Sequence, residues 1–129
     1  DARQRMVHMR NMLARHEIHV ANYYFRRGAY MAALNRGKYV VEHMQQTPSV
    51  ADGLAIMAQA YLLLDLNDLA DDSIDVLCEN FPDHPNIKEG CVFDSVYTVD
   101  GLQRSWINQA TLGLFDPPEP PQFNYRPKS

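Results

Sequence analysis

The sequence predicts an all-α fold in which antiparallel helix-turn-helix repeats stack side by side, followed by an irregular C-terminal extension. Three observations predict this fold class. Apolar residues recur at helical spacing over long stretches, and turn-forming residues such as Gly28, Pro48 and Pro82 separate those stretches. In addition, two helical hairpins align with each other at a constant offset.

Length and composition are those of one globular unit. The chain has 129 residues, 46% of them apolar and 22% charged, which is enough to bury a hydrophobic core. Its net charge is -4 without a basic stripe, so nucleic acid is not expected as a partner. No apolar run approaches the roughly 18 residues that a membrane span needs. The sequence opens at Asp1 within a helical pattern and without a signal peptide, so we expect a piece of a longer chain.

The first predicted hairpin begins with one long helix from Ala2 to Arg27, which contains no Pro or Gly. Its apolar residues follow helical spacing, at Met6, Met9, Leu13, Val20 and Tyr24. Gly28 interrupts the pattern and supplies a position where φ can become positive. A second helix is predicted from Ala29 to Met44. Because the connection is so short, the two helices must pack antiparallel.

The second predicted hairpin follows Thr47-Pro48-Ser49, which supplies a stop and a serine N-cap. Its helices span residues 50–64 and 69–80, and Phe81-Pro82 ends the second of them. The predicted repeat array covers residues 1–82, with helix pairs at about 2–44 and 50–81.

The two hairpins align on their tyrosines with a constant offset of 37 residues. The aligned positions pair Ala21, Tyr24, Gly28, Tyr30 and Ala33 with Ala58, Tyr61, Asp65, Asn67 and Ala70. This spacing, with Pro82 closing the second repeat, matches much of the tetratricopeptide pattern of about 34 residues. Small residues at a crossing let two helices approach closely, while tyrosine rings fill the space toward the next hairpin. The alternative is a generic antiparallel α-bundle in which these spacings coincide by chance.

Beyond Pro82 the helical pattern is lost. Residues 83–114 are predicted to form an irregular segment with β-like content at Val92-Phe93, and then a helix from Gly101 to Leu114 that caps the array. Residues 115–129 contain five prolines and are expected to be an extended or disordered tail.

Two groups of residues have the residue types of metal-binding or catalytic sites. The histidines of His16-Glu17-Ile18-His19 are three apart, whereas a zinc metalloprotease motif places them four apart, so surface or groove histidines are expected. The carboxylates Asp65, Asp68, Asp71, Asp72 and Asp75 lack a calcium-loop glycine and are expected to be a solvated helix face. No nucleophile motif or phosphate-binding loop occurs. We therefore predict no metal, no cofactor and no enzymatic activity.

The two cysteines, Cys78 and Cys91, allow two interpretations. One is a disulfide that joins the irregular segment to the last repeat helix, since the turn between them could bring the thiols together. The other is a pair of unbonded thiols, one of them buried. The sequence leaves both open.

Several short strings in the first hairpin are typical of a known family. They are His16-Glu17, Val20-Ala21, Tyr23-Tyr24, Arg27-Gly28-Ala29-Tyr30 and Asn35-Arg36. This region resembles the third repeat of the BamD family of outer-membrane lipoproteins, also called ComL or YfiO. Met57 to Tyr61, with Ala70, resemble the repeat that follows. The resemblance covers roughly residues 3–80 and places them in the C-terminal half of the family's repeats, but residues 83–129 exceed the family's short C-terminus.

The resemblance implies a non-catalytic scaffold of the outer-membrane β-barrel assembly machine. The full-length protein would lie on the periplasmic face of the outer membrane, held there by an acylated N-terminal cysteine. The implied partners are the membrane-proximal POTRA domain of BamA and the other lipoproteins of the machine. Unfolded outer-membrane proteins are implied partners of the full-length protein.

The same resemblance implies a partner-binding residue. The family's docking arginine corresponds to Arg36, whose guanidinium suits a bidentate bond to a partner carboxylate. Secondary candidates for partner binding are Asn35, Arg27, Arg26 and Tyr23. The alternative is a surface arginine that stays solvated or pairs with a neighbour such as Asn35 or Glu42.

A second functional hypothesis is a repeat adaptor that binds an extended peptide in its concave groove, in another pathway. A lipoprotein signal upstream would favour the scaffold, whereas a cytoplasmic start or a fused catalytic domain would favour the adaptor. An enzyme would require an activity that alanine at His16 and His19 abolishes.

Overall fold

A computed structural model describes residues 1–96. Its elements in chain order are α1 (Ala2–Arg26), α2 (Tyr30–His43), α3 (Val50–Leu63), α4 (Asn67–Asn80), β1 (Ile87–Lys88) and β2 (Val92–Phe93). Consecutive helices pack against each other, which confirms the predicted all-α fold of helix-turn-helix repeats. Each helix boundary differs from the predicted one by no more than two residues. The helix predicted at 101–114 and the tail predicted at 115–129 lie outside the described residues.

The turns inside the two hairpins have the same backbone geometry. Gly28 and Asp65, which are aligned in the repeat, have positive φ angles of 76° and 61°. Equivalent backbone hydrogen bonds close the two turns, from Ala29 N to Tyr24 O at 2.9 Å and from Leu66 N to Tyr61 O at 2.8 Å. Because these bonds join positions that the 37-residue offset relates, they favour a true repeat over a generic bundle.

Small residues occupy the helix crossings. The four alanines of the repeat alignment are all fully buried, namely Ala21, Ala33, Ala58 and Ala70. Between the hairpins, Gly37 on α2 faces Gly53 on α3. A Cβ atom at Gly37 would lie 2.7 Å from Cγ2 of Ile56, which is closer than carbon atoms pack. The absence of a side chain at Gly37 therefore lets α2 and α3 approach closely.

The predicted capping role of Ser49 is wrong. Ser49 occupies the N-cap position of α3, but its side chain makes no capping hydrogen bond. Its φ and ψ angles of -77° and -6° are helical, whereas a capping side chain needs an extended residue. The Thr47 hydroxyl instead donates to the carbonyl of Met44 at 2.7 Å, which shapes the turn before α3.

A buried pair of polar side chains holds the segment after α4 against α3. Nε2 of His84 lies 3.0 Å from Oδ1 of Asp52, and the two side chains are 1% and 5% exposed. Nδ1 of His84 accepts a hydrogen bond from the backbone N–H of Asn86 at 3.2 Å. This hydrogen-bond pattern assigns the imidazole proton to Nε2, which then donates to the Asp52 carboxylate.

The β1–β2 hairpin lies within the segment that was predicted to be irregular. Ile87 pairs with Phe93 across it, and both side chains pack against the repeat core with Phe81 and Val96. The hairpin thereby covers apolar surface at the end of the second repeat.

A disulfide between Cys78 and Cys91 joins α4 to the β1–β2 hairpin, with 5.7 Å between the two Cα atoms. Of the two interpretations of the cysteines, the structure contains the bonded one. The segment after α4 is therefore attached to the array by a covalent bond as well as by packing.

Candidate partner-binding site

The Arg36 guanidinium lies between the two helices of the first hairpin. Because α1 and α2 run antiparallel, Arg36 on α2 comes opposite Glu17 on α1. Nη1 of Arg36 donates to Oε2 of Glu17 at 2.9 Å. The Arg36 side chain is 43% exposed and that of Glu17 is 15% exposed. The predicted docking arginine is therefore accessible while being anchored to the neighbouring helix.

Glu17 and Tyr24 determine the electrostatic environment of Arg36. They lie two turns apart on one face of α1. The hydrogen bond and the negative charge of Glu17 raise the pKa of the Arg36 guanidinium, and Tyr24 adds to this effect. Burial acts in the opposite direction and does not outweigh it. Arg36 is therefore a cation throughout the physiological pH range.

The partner of Arg36 is not one of the neighbours considered from the sequence. Glu42 is paired with Lys38, with 3.9 Å between Oε1 and Nζ, and Asn35 is exposed on α2. Glu17 is 19 residues away from Arg36, so proximity in the sequence does not identify it as the partner. The register of the antiparallel hairpin was the signal that could have identified it, since this register places α1 residues opposite α2 residues.

Two of the secondary candidates form a second cluster near the end of α1. Nε of Arg27 donates to the hydroxyl of Tyr23 at 3.2 Å, and its guanidinium carbon lies 5.4 Å from the centre of the Tyr23 ring. This geometry combines a hydrogen bond with a cation–π contact. The Tyr23 ring is 46% exposed and also meets Tyr24 edge-on, with 5.9 Å between ring centroids. Tyr24 therefore connects this cluster to the Arg36 site.

The remaining candidates, Arg26 and Asn35, are placed differently. Arg26 is partly buried in the last turn of α1, and Asn35 is exposed on α2 next to Arg36 in sequence. The structure thus divides the five predicted residues into the Arg36 site, the Tyr23–Arg27 cluster, and two residues outside both. All five belong to the first hairpin.

Charge is unevenly distributed along the chain. Residues 1–38 contain eight Lys or Arg and two acidic residues, whereas residues 39–87 contain nine acidic residues and no Lys or Arg. The aspartates of the second hairpin between residues 65 and 75 are exposed, as expected of a solvated face. Arg36 therefore lies in the basic part of the array.

The described part of the chain contains neither a candidate metal cluster nor a candidate membrane-spanning helix. His16 and His19 are both exposed on α1. Within residues 1–96, no three His, Cys, Asp or Glu side chains are placed to hold a metal ion together. Over the same range, no helix has both the length and the apolar character to cross a membrane.

Stacked antiparallel helical hairpins that repeat the same buried alanines and the same turn define a tetratricopeptide-like repeat protein. A family model described as an outer membrane lipoprotein, YfiO, matches residues 1–77, which is more than half of the 129-residue chain. The chain therefore belongs to the YfiO family of outer membrane lipoproteins.

Similar curated proteins carry the name outer membrane protein assembly factor BamD. The chain is 41% identical over 88 residues to the one from Xylella fastidiosa strain Temecula1. It is 46% identical over 85 residues to the one from Neisseria gonorrhoeae, and 44% identical over 89 residues to the one from Neisseria meningitidis serogroup B. These alignments cover 68%, 66% and 69% of the chain and 30%, 32% and 33% of the relatives. The chain thus spans about a third of the length of the curated relatives it matches.

Proposed function

We propose that this chain is part of a non-catalytic scaffold subunit of the outer-membrane β-barrel assembly machine, and that its first hairpin docks the membrane-proximal POTRA domain of BamA. Membership of the YfiO family and the assembly-factor names of the relatives support the role in outer-membrane protein assembly. The observation that carries the docking proposal is the position of Arg36, which is bonded to Glu17 at 2.9 Å and yet 43% exposed.

An anchored arginine suits the centre of a protein interface. Arginine and tyrosine are enriched among the residues that contribute most to binding energy, and a guanidinium can bind a carboxylate through two parallel hydrogen bonds. The Tyr23–Arg27 cluster supplies both residue types within the same hairpin, and Arg26 and Asn35 would contribute at its edge. The proposed interface therefore pairs this basic hairpin with an acidic patch on the partner.

The proposed location is the periplasmic face of the outer membrane, with the full-length protein attached by a lipid anchor. The family description supports association with the outer membrane. The disulfide between Cys78 and Cys91 suits an oxidising compartment such as the periplasm. Other lipoproteins of the machine and unfolded outer-membrane proteins are the further partners proposed for the full-length protein.

Calorimetry with the isolated POTRA domains of the BamA from the same organism tests the docking proposal. We expect Arg36→Glu to weaken binding by more than about 2 kcal/mol, because it replaces attraction to a carboxylate with repulsion. Lys38→Glu is the matched control, since Lys38 lies on the same helix and is 53% exposed. Folded wild-type protein that does not bind, or an Arg36→Glu variant that binds as well as Lys38→Glu, would contradict the proposal.

A further inference from the structure

We propose that Glu17 is a positioning residue for partner binding, which holds Nη1 of Arg36 and leaves other N–H donors of the guanidinium to a carboxylate of the partner. This inference rests on the proposed docking through Arg36 and adds a second residue to that site.

The bond between the two side chains restrains Arg36 more than it restrains Glu17. Glu17 is flanked on α1 by Ala14, Ile18 and Ala21, which are 0%, 5% and 0% exposed, so packing in the core fixes its backbone. Its shorter side chain is itself only 15% exposed, whereas the longer Arg36 side chain is 43% exposed. An arginine that is already ordered loses less conformational entropy when a partner binds.

The contact between the two residues uses only part of the guanidinium. One oxygen of Glu17, Oε2, accepts from one nitrogen of Arg36, Nη1, at 2.9 Å. A guanidinium has five N–H donors, which is more than Glu17 and the hydroxyl of Tyr24 together require. The geometry therefore allows one guanidinium to serve two carboxylates at the same time.

Displacement of Glu17 by the partner is the competing mechanism. It would leave the Glu17 carboxylate, which is 15% exposed, without the cation that it now bonds. Removing the partner of a charge that is largely withdrawn from water is costly. Simultaneous binding avoids this cost, because Glu17 keeps its bond to Nη1 while the partner carboxylate accepts from other N–H donors of the guanidinium.

Three substitutions of Glu17 separate geometry from charge in calorimetric titrations with the isolated membrane-proximal POTRA domain. Glu17→Ala removes the carboxylate, and Glu17→Asp keeps the charge but shortens the side chain so that it no longer reaches Nη1. We expect both to weaken binding by about threefold to tenfold, as when one ordered side chain becomes free before binding. Glu17→Gln keeps an oxygen that can accept from Nη1, so it should restore part of this loss.

Competition between Glu17 and the partner predicts a different order. Glu17→Ala and Glu17→Gln would then bind more tightly than wild type, and Glu17→Asp would bind about as well, so this order would overturn the positioning role. Glu42→Ala is the matched control, because Glu42 carries the same charge on an exposed part of α2 and pairs with Lys38. NMR relaxation of the Nε–H group of Arg36 gives a second measurement, and we expect greater mobility in the Ala and Asp variants than in wild type.

A double-substitution cycle distinguishes failure of this inference from failure of the docking proposal. We expect Glu17→Ala to have no further effect on binding in an Arg36→Ala background, because Glu17 acts through Arg36. If Arg36→Ala weakens binding but Glu17→Ala does not, the positioning role is overturned while docking through Arg36 stands. If Arg36→Ala leaves binding unchanged, both are overturned.

Discussion

Gly28 and Asp65 occupy the same position in successive hairpins, and both adopt the left-handed backbone conformation, with φ angles of 76° and 61°. The hydrogen bonds that follow them, from Ala29 to Tyr24 and from Leu66 to Tyr61, differ in length by only 0.1 Å, being 2.9 and 2.8 Å. The same turn is therefore formed once with the residue that suits it best and once with a residue that tolerates it.

The conformation of Asp65 predicts that Asp65→Gly stabilises the protein. Glycine adopts positive φ without the steric cost that a Cβ atom imposes, so we expect the free energy of unfolding to rise by about 0.5–1 kcal/mol. Urea unfolding followed by circular dichroism measures this change. Gly28→Ala is the reciprocal control and should destabilise the protein by a similar amount. If Asp65→Gly instead loses stability, the Asp65 carboxylate stabilises the native protein by more than the positive φ of Asp65 costs.

Gly37 is predicted to tolerate no side chain, although it lies inside a helix. Glycine-to-alanine substitution normally favours a helix by about 1 kcal/mol. At this position the new Cβ atom would lie 2.7 Å from Cγ2 of Ile56, which forces α2 and α3 apart. We expect Gly37→Ala to lower the free energy of unfolding by about 1–3 kcal/mol, as overpacked cores do. Lys38→Ala, on the exposed face of α2, should stay within about 0.5 kcal/mol of wild type.

Local sequence patterns made the repeat predictable, whereas contacts between residues far apart in the sequence could not be predicted. The buried alanines Ala21 and Ala33 recur at Ala58 and Ala70 because each hairpin repeats the same crossing. The contact between Arg36 and Glu17 joins residues 19 apart, and that between His84 and Asp52 joins residues 32 apart. Such contacts depend on how whole helices pack, so the type of residue at one position does not identify its partner.

The failure at Ser49 has a different cause. Serine before a helix is a sound local signal for an N-cap, but a capping side chain also requires an extended backbone. The turn closed by the hydrogen bond from the Val50 N–H to the Thr47 carbonyl, at 3.3 Å, contains Ser49 in a helical conformation, so its hydroxyl does not cap α3. The local sequence therefore identified the residue at which α3 begins. It did not identify which groups bind the free N–H groups of the first turn.

The buried contact between His84 and Asp52 predicts that His84→Ala is strongly destabilising. The substitution empties a site in which the imidazole is 1% exposed and removes the donor that faces the Asp52 carboxylate at 3.0 Å. We expect a loss of about 2–4 kcal/mol in the free energy of unfolding, from the lost packing and the lost hydrogen bond to a buried carboxylate. His16→Ala, on the exposed surface of α1, is the control and should have little effect. Similar stabilities for the two variants would contradict the structural role of His84.

The disulfide between Cys78 and Cys91 is predicted to stabilise the protein by restricting the unfolded chain. The bond closes a loop with a sequence separation of 13, and loops of this size are associated with about 2–3 kcal/mol in the chain-entropy account. We therefore expect the double variant Cys78→Ser, Cys91→Ser to unfold at lower urea concentration than oxidised wild type. Reduced wild-type protein is the matched control, and it should resemble the double variant because it loses the same constraint. A thiol assay on denatured, unreduced protein should find no free thiol, and two free thiols would show that the constraint does not exist in solution.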